Sequence, residues 1–198
     1  MYYKLAVFDF DGTLTSKDTF LEFIKFTRGK WKFLTGFLLF SPIIIAYKLK
    51  LIPNWKAKEM VFAYFFKGTS LHQFDQWGQA FANEIEKMIR PKAYGKVIEH
   101  QYNNDEIVIV SASIENWIRP WANKMGISNL LATRLEINTE GRLTGKFLTK
   151  NCFGQEKVNR VLQAYPQRDN YFLEAYGDSN GDRELLAFAN KGWYRLFE

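Results

Sequence analysis

Two strand-like runs, Leu5 to Phe10 and Glu106 to Ser113, are apolar with no polar residue at every second position, and a long stretch of chain separates them. Such a run must be buried on both faces, as in a parallel sheet covered by helices. Between the runs, residues 17–103 repeat helical patterns, among them "TFLEFIKF", "WKAKEMVFAYFF" and "LHQFDQWGQAFANEIEKMI", and Pro91 suits the first turn of a helix over "PKAYGKVIEHQY". After Ser113 the order continues: a helix that Pro120 should begin or kink, two strands in "LLATRLEINTEGRLTGKFL" around the turn "NTEG", and a helix in "GQEKVNRVLQAY". Then follow a strand in "NYFLEAYG", a helix in "RELLAFAN" and a last strand in "WYRLF". The predicted fold class is α/β, with a parallel-sheet core from residues 1–16 and 104–198. A helical cap, residues 17–103 with a linking helix to the core, is inserted into it.

In such sheets ligands bind beyond the carboxyl ends of the strands. Asp9, Asp11 and Thr13 follow the first strand, Ser111 and Ser113 end the second, and Asp178, Ser179 and Asp182 follow a later one. Carboxylates as close as Asp9 and Asp11 repel each other and desolvate badly, so a cation or a proton-transfer task is expected beside them. The chain has only two histidines, His72 and His100, and no Gly-x-Ser-x-Gly, which argues against Ser-His-Asp chemistry and His-rich zinc sites. Both histidines lie in polar helical stretches and are expected to be solvated. The single Cys152 cannot form an internal disulfide, and the N-terminal residues lack the basic, apolar and small-residue order of a signal peptide. A reducing, cytoplasmic setting is therefore expected, with Cys152 a packed small residue.

"DFDGT", "IVSAS", the lysine of "CFGQEKVNRVL" and "GDSNGD", in that order, resemble the four motifs of the haloacid dehalogenase-like hydrolase superfamily. The inserted helical block between the first two is similar to the phosphoserine-phosphatase-like branch, subclass IB. The resemblance implies a Rossmann-like core, Mg²⁺, and hydrolysis of phosphate monoesters through an aspartyl-phosphate. Asp9 is then the nucleophile and a metal ligand. Asp11 is the general acid/base and offers its backbone carbonyl to the metal. Asp178 is a further ligand, and Asp182 a ligand or an orienting group for the metal's waters or Lys157. Lys157 offsets charge on the phosphoryl group and the nucleophile, Gly12, Thr13, Ser111 and Ala112 contact the phosphate, and Asn180 supports the acidic turn. Read singly, the Asp-x-Asp-Gly would be a solvated turn, Ser113 a helix cap and Lys157 a surface lysine.

Charge placement bears on the substrate. Lys25 to Lys58 holds eight basic residues and no acidic one, so this segment carries +8 in a chain of net charge +6. Within it, Phe33 to Tyr47 is an uncharged run of 15 residues, with Trp31 before it and Trp55 beyond it. As one helix it would reach only about 22 Å, short of a bilayer's hydrocarbon, and Pro42 should kink or break it. It reads either as the buried helix pair of the cap or as an interfacial hairpin drawn to anionic lipid, placing 25–58 on the inner face of the cytoplasmic membrane. The apolar stretch, Asp18 after "DFDGTL", and the Cys152, Gly154, Lys157 spacing are similar to phosphatidylglycerophosphatase C-type enzymes, which implies a lipid head-group phosphate as substrate. Phosphoserine phosphatases carry Glu where Asp18 stands; a soluble phosphorylated small molecule met by Asp18 is the alternative. An inactive membrane-docking or nucleic-acid-binding module is the alternative of another class. No nucleic acid is expected, because the lysines bracket an aliphatic run and not a polar groove.

Overall fold

The computed structural model describes residues 3–198; residues 1 and 2, included in the expected first core segment, lie outside it. Five strands, β1 (Tyr3–Phe8), β2 (Glu106–Ile114), β3 (Asn129–Thr133), β6 (Tyr171–Gly177) and β7 (Lys191–Tyr194), form a sheet of order β3-β2-β1-β6-β7. Every neighbouring pair is parallel. The central strand explains the unbroken apolar run. Leu5 and Val7 face one cluster with Val108, Leu173 and Val158, while Ala6 and Phe8 face the other with Ile109, Val97 and Trp117. Helices α7 (Gln155–Ala164) and α8 (Arg183–Phe188) cover the first face. Helices α5 (Pro91–Tyr102) and α6 (Glu115–Lys124) cover the second.

The inserted segment holds α1 (Thr19–Leu39), α2 (Ser41–Lys48), α3 (Asn54–Phe66) and α4 (Leu71–Met88) before α5. Asp18 caps α1, its carboxylate accepting from the Phe20 and Leu21 amides. Gly29, at φ 79° and ψ 160°, leaves the helical region and divides α1 in two. Before it, Phe20, Phe23 and Ile24 are buried; beyond it, Trp31, Leu34, Leu38 and Leu39 are exposed. Pro42 sits in the first turn of α2, and the break falls at Phe40. Among the described residues no single helix is long and apolar enough to cross a membrane; α1 and α2 meet that criterion only as a pair, bent by 55°. Within the apolar run Phe33, Phe37 and Phe40 pack against the core and Gly36 is buried, while Leu34, Leu38, Leu39 and Ile45 are exposed, so the pair is buried along one face.

Phe23 stacks on Trp117 at 4.6 Å between centroids and meets Phe74 and Phe81 edge-on at 5.2 Å. These rings join the inserted helices to the sheet in one hydrophobic cluster.

Four sequence expectations need correction. Pro120 lies inside α6, which begins five residues earlier at Glu115. The Asn116 carbonyl that its missing N–H would have met faces Gly78 of α4, where an added Cβ would stand 2.5 Å from that oxygen. The stretch 130–137 is not one strand: β3 joins the parallel sheet, and β4 (Leu135–Ile137) pairs antiparallel with β5 (Leu143–Phe147) in a separate hairpin against α3. The last strand ends at Tyr194, because Arg195 takes φ 54° and turns the chain. His72 is exposed, but His100 is only 2% exposed. It follows Ala93 and Val97 on the buried stripe of α5, with Nδ1 2.7 Å from Asp105 Oδ2 and Nε2 2.9 Å from the Tyr176 hydroxyl.

Candidate active site

Because β2, β1 and β6 are adjacent and parallel, their polar ends meet at one edge of the sheet. The Asp9 amide extends the ladder by donating to Tyr176 O at 2.9 Å, which fixes where its carboxylate emerges. Lys157 enters from the first turn of α7 and is 2% exposed. Its Nζ donates to Asp9 Oδ1 and to Asp182 Oδ1, each at 2.5 Å. Asp182 is fully buried, and its Oδ2 accepts from the Ser179 amide at 3.0 Å, the Ser179 hydroxyl at 2.8 Å and the Asp178 amide at 3.2 Å. This carboxylate thus orients both Lys157 and the loop that carries Asp178. Asn180 opens the short turn Asn180–Asp182 in that loop.

Thr13 donates its hydroxyl to Asp178 Oδ1 at 2.9 Å and does not line the cavity. Gly12 has φ 83°, and an added Cβ would stand 2.3 Å from Asp178 Oδ2. Glycine is needed here for the backbone angle and for the aspartate's approach. Arg90, which the sequence did not single out, donates Nε to Gly12 O at 3.0 Å and Thr15 O at 3.3 Å, pinning this loop from the start of α5.

Asp11 is held by Thr19, which the sequence did not single out, and by Ser113, which it placed at the end of the second strand without a role. Its Oδ1 accepts from the Thr19 amide at 2.7 Å and the Thr19 hydroxyl at 2.6 Å, and Ser113 Oγ donates to Oδ2. Trp117 Nε1 in turn donates to Thr19 Oγ1 at 3.1 Å. Ser113 caps no helix: α6 follows Ile114 without a side-chain cap. Ser111 Oγ accepts from the Ser113 amide at 3.0 Å, which leaves its own proton free for an anion. Ala112 O accepts from Lys58 Nζ at 2.9 Å, bringing a cation of α3 over the edge of the sheet. Asp18 lines the cavity while serving as the α1 cap. The cavity measures about 330 Å³ and is walled by Asp9, Asp11, Lys58, Ser111, Lys157 and Asp178, among others.

The electrostatics follow from this crowding. Burial pushes the Asp9 carboxyl well above the usual carboxylate range, against the pull of Lys157. Burial alone would lower the Lys157 ammonium, but Asp9 and Asp182 outweigh it and raise it. Burial likewise raises Asp11, with Asp18 adding and Lys58, Ser113 and Thr19 opposing. Asp178 is raised by burial despite the Thr13 bond. Cys152 packs in the core, its thiol pushed up to about 11 by burial.

Carboxylate oxygens of Asp9, Asp178 and Asp182 lie within 4.8 Å of one another, and among the described residues Lys157 is the one cation bonded to them. An all-oxygen set with this surplus of negative charge fits a hard divalent cation. Asp182 already spends its oxygens on Lys157 and its own loop, so Asp9 and Asp178 are the side chains free to hold it.

Residues 6–187 match the haloacid dehalogenase-like hydrolase family. The chain belongs to that family. This hydrolase is 36% identical over 195 residues to protein CicA of Caulobacter vibrioides, covering 98% of this chain and 86% of that protein. It is 30% identical over 109 residues to a histidinol-phosphatase of Neisseria meningitidis serogroup C, spanning 52% of this chain and 49% of the relative. In structure it matches a protein of unknown function from Bordetella pertussis Tohama I with a TM-score of 0.82 at 22% identity, covering 98% and 89% of the two chains. A phosphoserine phosphatase in a phospho-aspartyl intermediate analogue state matches with a TM-score of 0.64 at 18% identity, covering 98% and 86%. The enzyme is a hydrolase of this family, and its fold is shared with a phosphoserine phosphatase.

Proposed function

We propose that this enzyme is a Mg²⁺-dependent phosphomonoesterase that works through a phosphorylated Asp9, with a cap of residues 17–103 over a core of 1–16 and 104–198. The observation that carries the reading is Lys157 bridging Asp9 and Asp182 beside Asp178, since such mutually repelling groups are retained only where charge must be managed. Asp9 and Asp178, with the Asp11 backbone carbonyl, would hold the magnesium ion, whose chemistry there would be to neutralise charge on the phosphate. Lys157 orients Asp9 and offsets charge on the phosphoryl oxygens, to which the Ser111 hydroxyl and the amides after Asp9 donate. Asp9 attacks phosphorus as the ester oxygen leaves, and Asp11, whose carboxyl is raised by burial, gives that oxygen its proton. Asp11 then takes a proton from water, which attacks the acyl phosphate, frees phosphate and restores the Asp9 carboxylate.

The substrate favoured is a phospholipid head-group phosphate met at a membrane surface. Trp31 is 82% exposed and Leu38 76%, on the part of α1 beyond Gly29, with Lys30, Lys32, Lys48 and Lys50 nearby in sequence. Apolar side chains amid lysines and no carboxylates suit the interface of an anionic bilayer. A second reading, a polar metabolite such as phosphoserine, is favoured by the charged rim that Lys17, Asp18 and Lys58 give the cavity. The test is hydrolysis of p-nitrophenyl phosphate with magnesium, its loss in chelator and in a folded Asp9→Asn variant; turnover without a divalent ion refutes the mechanism. Phosphatidylglycerophosphate in detergent, screened beside phosphoserine and other phosphorylated metabolites, decides the substrate. Co-sedimentation with anionic but not neutral vesicles, lost in Trp31→Glu, tests the surface.

A further inference from the structure

Beside the cavity that holds Asp9 lies a second groove of about 690 Å³, between the start of α3 and residues 147–153. Asn54 and Phe153 line both, so the two adjoin. The volume is that of a small-molecule site. Several polar groups on its walls are already taken: Glu59 accepts from the Phe147 amide at 2.9 Å, Thr149 Oγ1 from the Arg134 amide at 3.0 Å, and Glu156 pairs with Arg160 at 3.2 Å. Besides Asn54, Lys150 and Asn151, the wall offered to a ligand is apolar: Pro53, Trp55, Phe147, Leu148 and Phe153. Trp55, Leu148 and Phe153 stay exposed although core packing does not require them there. A phosphate group gains nothing from such a wall, but a hydrocarbon chain attached to it does.

We infer that this groove receives the hydrocarbon chain of the alcohol whose phosphate sits on Asp9, so that the substrate class is a phosphorylated amphiphile with an alkyl or acyl chain. The inference rests on the phosphatase reading of Asp9 and Lys157. The groove adjoins the phosphate cavity on one side, and Asn54 and Trp55 on its wall come a few residues after the exposed Leu49 and Leu51 in the chain.

The probes are n-alkyl phosphonates from methyl to decyl, which carry the head group without a cleavable ester, titrated calorimetrically into the full chain with magnesium below the micelle threshold. Affinity should rise roughly two- to fourfold per methylene while the chain runs along the groove. Leu148→Asn and Trp55→Gln should flatten that slope and leave methylphosphonate affinity unchanged, whereas Trp31→Glu, outside the groove, should leave the slope intact. A flat series in the unmodified enzyme, or a slope that survives both groove variants, overturns the inference alone when magnesium-dependent turnover of p-nitrophenyl phosphate is present. Absence of both turnover and phosphonate binding at every length overturns the phosphatase reading and this inference with it.

Discussion

Replacing Asp178 by Asn should stabilise the metal-free protein and remove its response to magnesium. Asp178 is repelled by Asp182 and attracted by Lys157, and its carboxylate also lies within 4.8 Å of Asp9, so a charge on Asp9 leaves one repulsive pair unbalanced. At the 4.8 Å limit of their separation and an effective dielectric of about 20, one such pair is worth about 3.5 kcal/mol. Asp178 is only partly buried, so solvent screens much of that repulsion and about 1–2 kcal/mol is expected near pH 7. For a chain of this length that is a gain of about 2–8 °C in melting temperature in chelator. Magnesium at a hundred times its Kd adds about 2.7 kcal/mol to the unmodified protein, a shift of about 5–11 °C, and should add almost nothing to the variant. The assay is a pair of thermal melts, in chelator and in magnesium. A variant that melts below the unmodified protein in chelator, or an equal magnesium shift in both, would refute the electrostatic account of the acidic cluster.

Ser113→Ala removes a donor that favours the charged form of Asp11, so Asp11 should stay protonated to higher pH and the alkaline limb of kcat should move up; an unmoved or lowered limb in the pH profile contradicts this. Cys152, buried with its thiol at about 11, should resist iodoacetamide at pH 8 in the native protein and react once urea unfolds it, as peptide mass mapping will show. His100→Leu strands Asp105 and the Tyr176 hydroxyl without their partner and should cost about 2–4 kcal/mol in denaturant melts, with turnover per folded molecule unchanged.

The parts legible in the sequence are those fixed by short-range chemistry. Asp9, Asp11, Ser111 and Asp178 follow apolar strands directly, and strands that are parallel and adjacent bring their ends together whatever the intervening chain does. Residues acting across long separations were not legible. Lys58 reaches Ala112 only because α3 lies over the edge of the sheet, and nothing in "WKAKEM" marks which lysine does so. Thr19 lies beyond the first motif and Ser113 closes the second, yet hydroxyls at such places more often cap helices, and here Asp18 takes that task for α1. His100 could have been found from its spacing with Ala93 and Val97, a helical stripe that polar neighbours obscure. The change from β3 to β4 at Arg134 has no glycine or proline to announce it.

The contact of Phe23 with Trp117 and its neighbours has a consequence for how the molecule unfolds. Prising the inserted helices off the sheet would wet several large rings at about 1.5–3 kcal/mol each, a cost comparable to the whole margin that keeps a domain folded. The inserted helices and the sheet should therefore melt in a single transition.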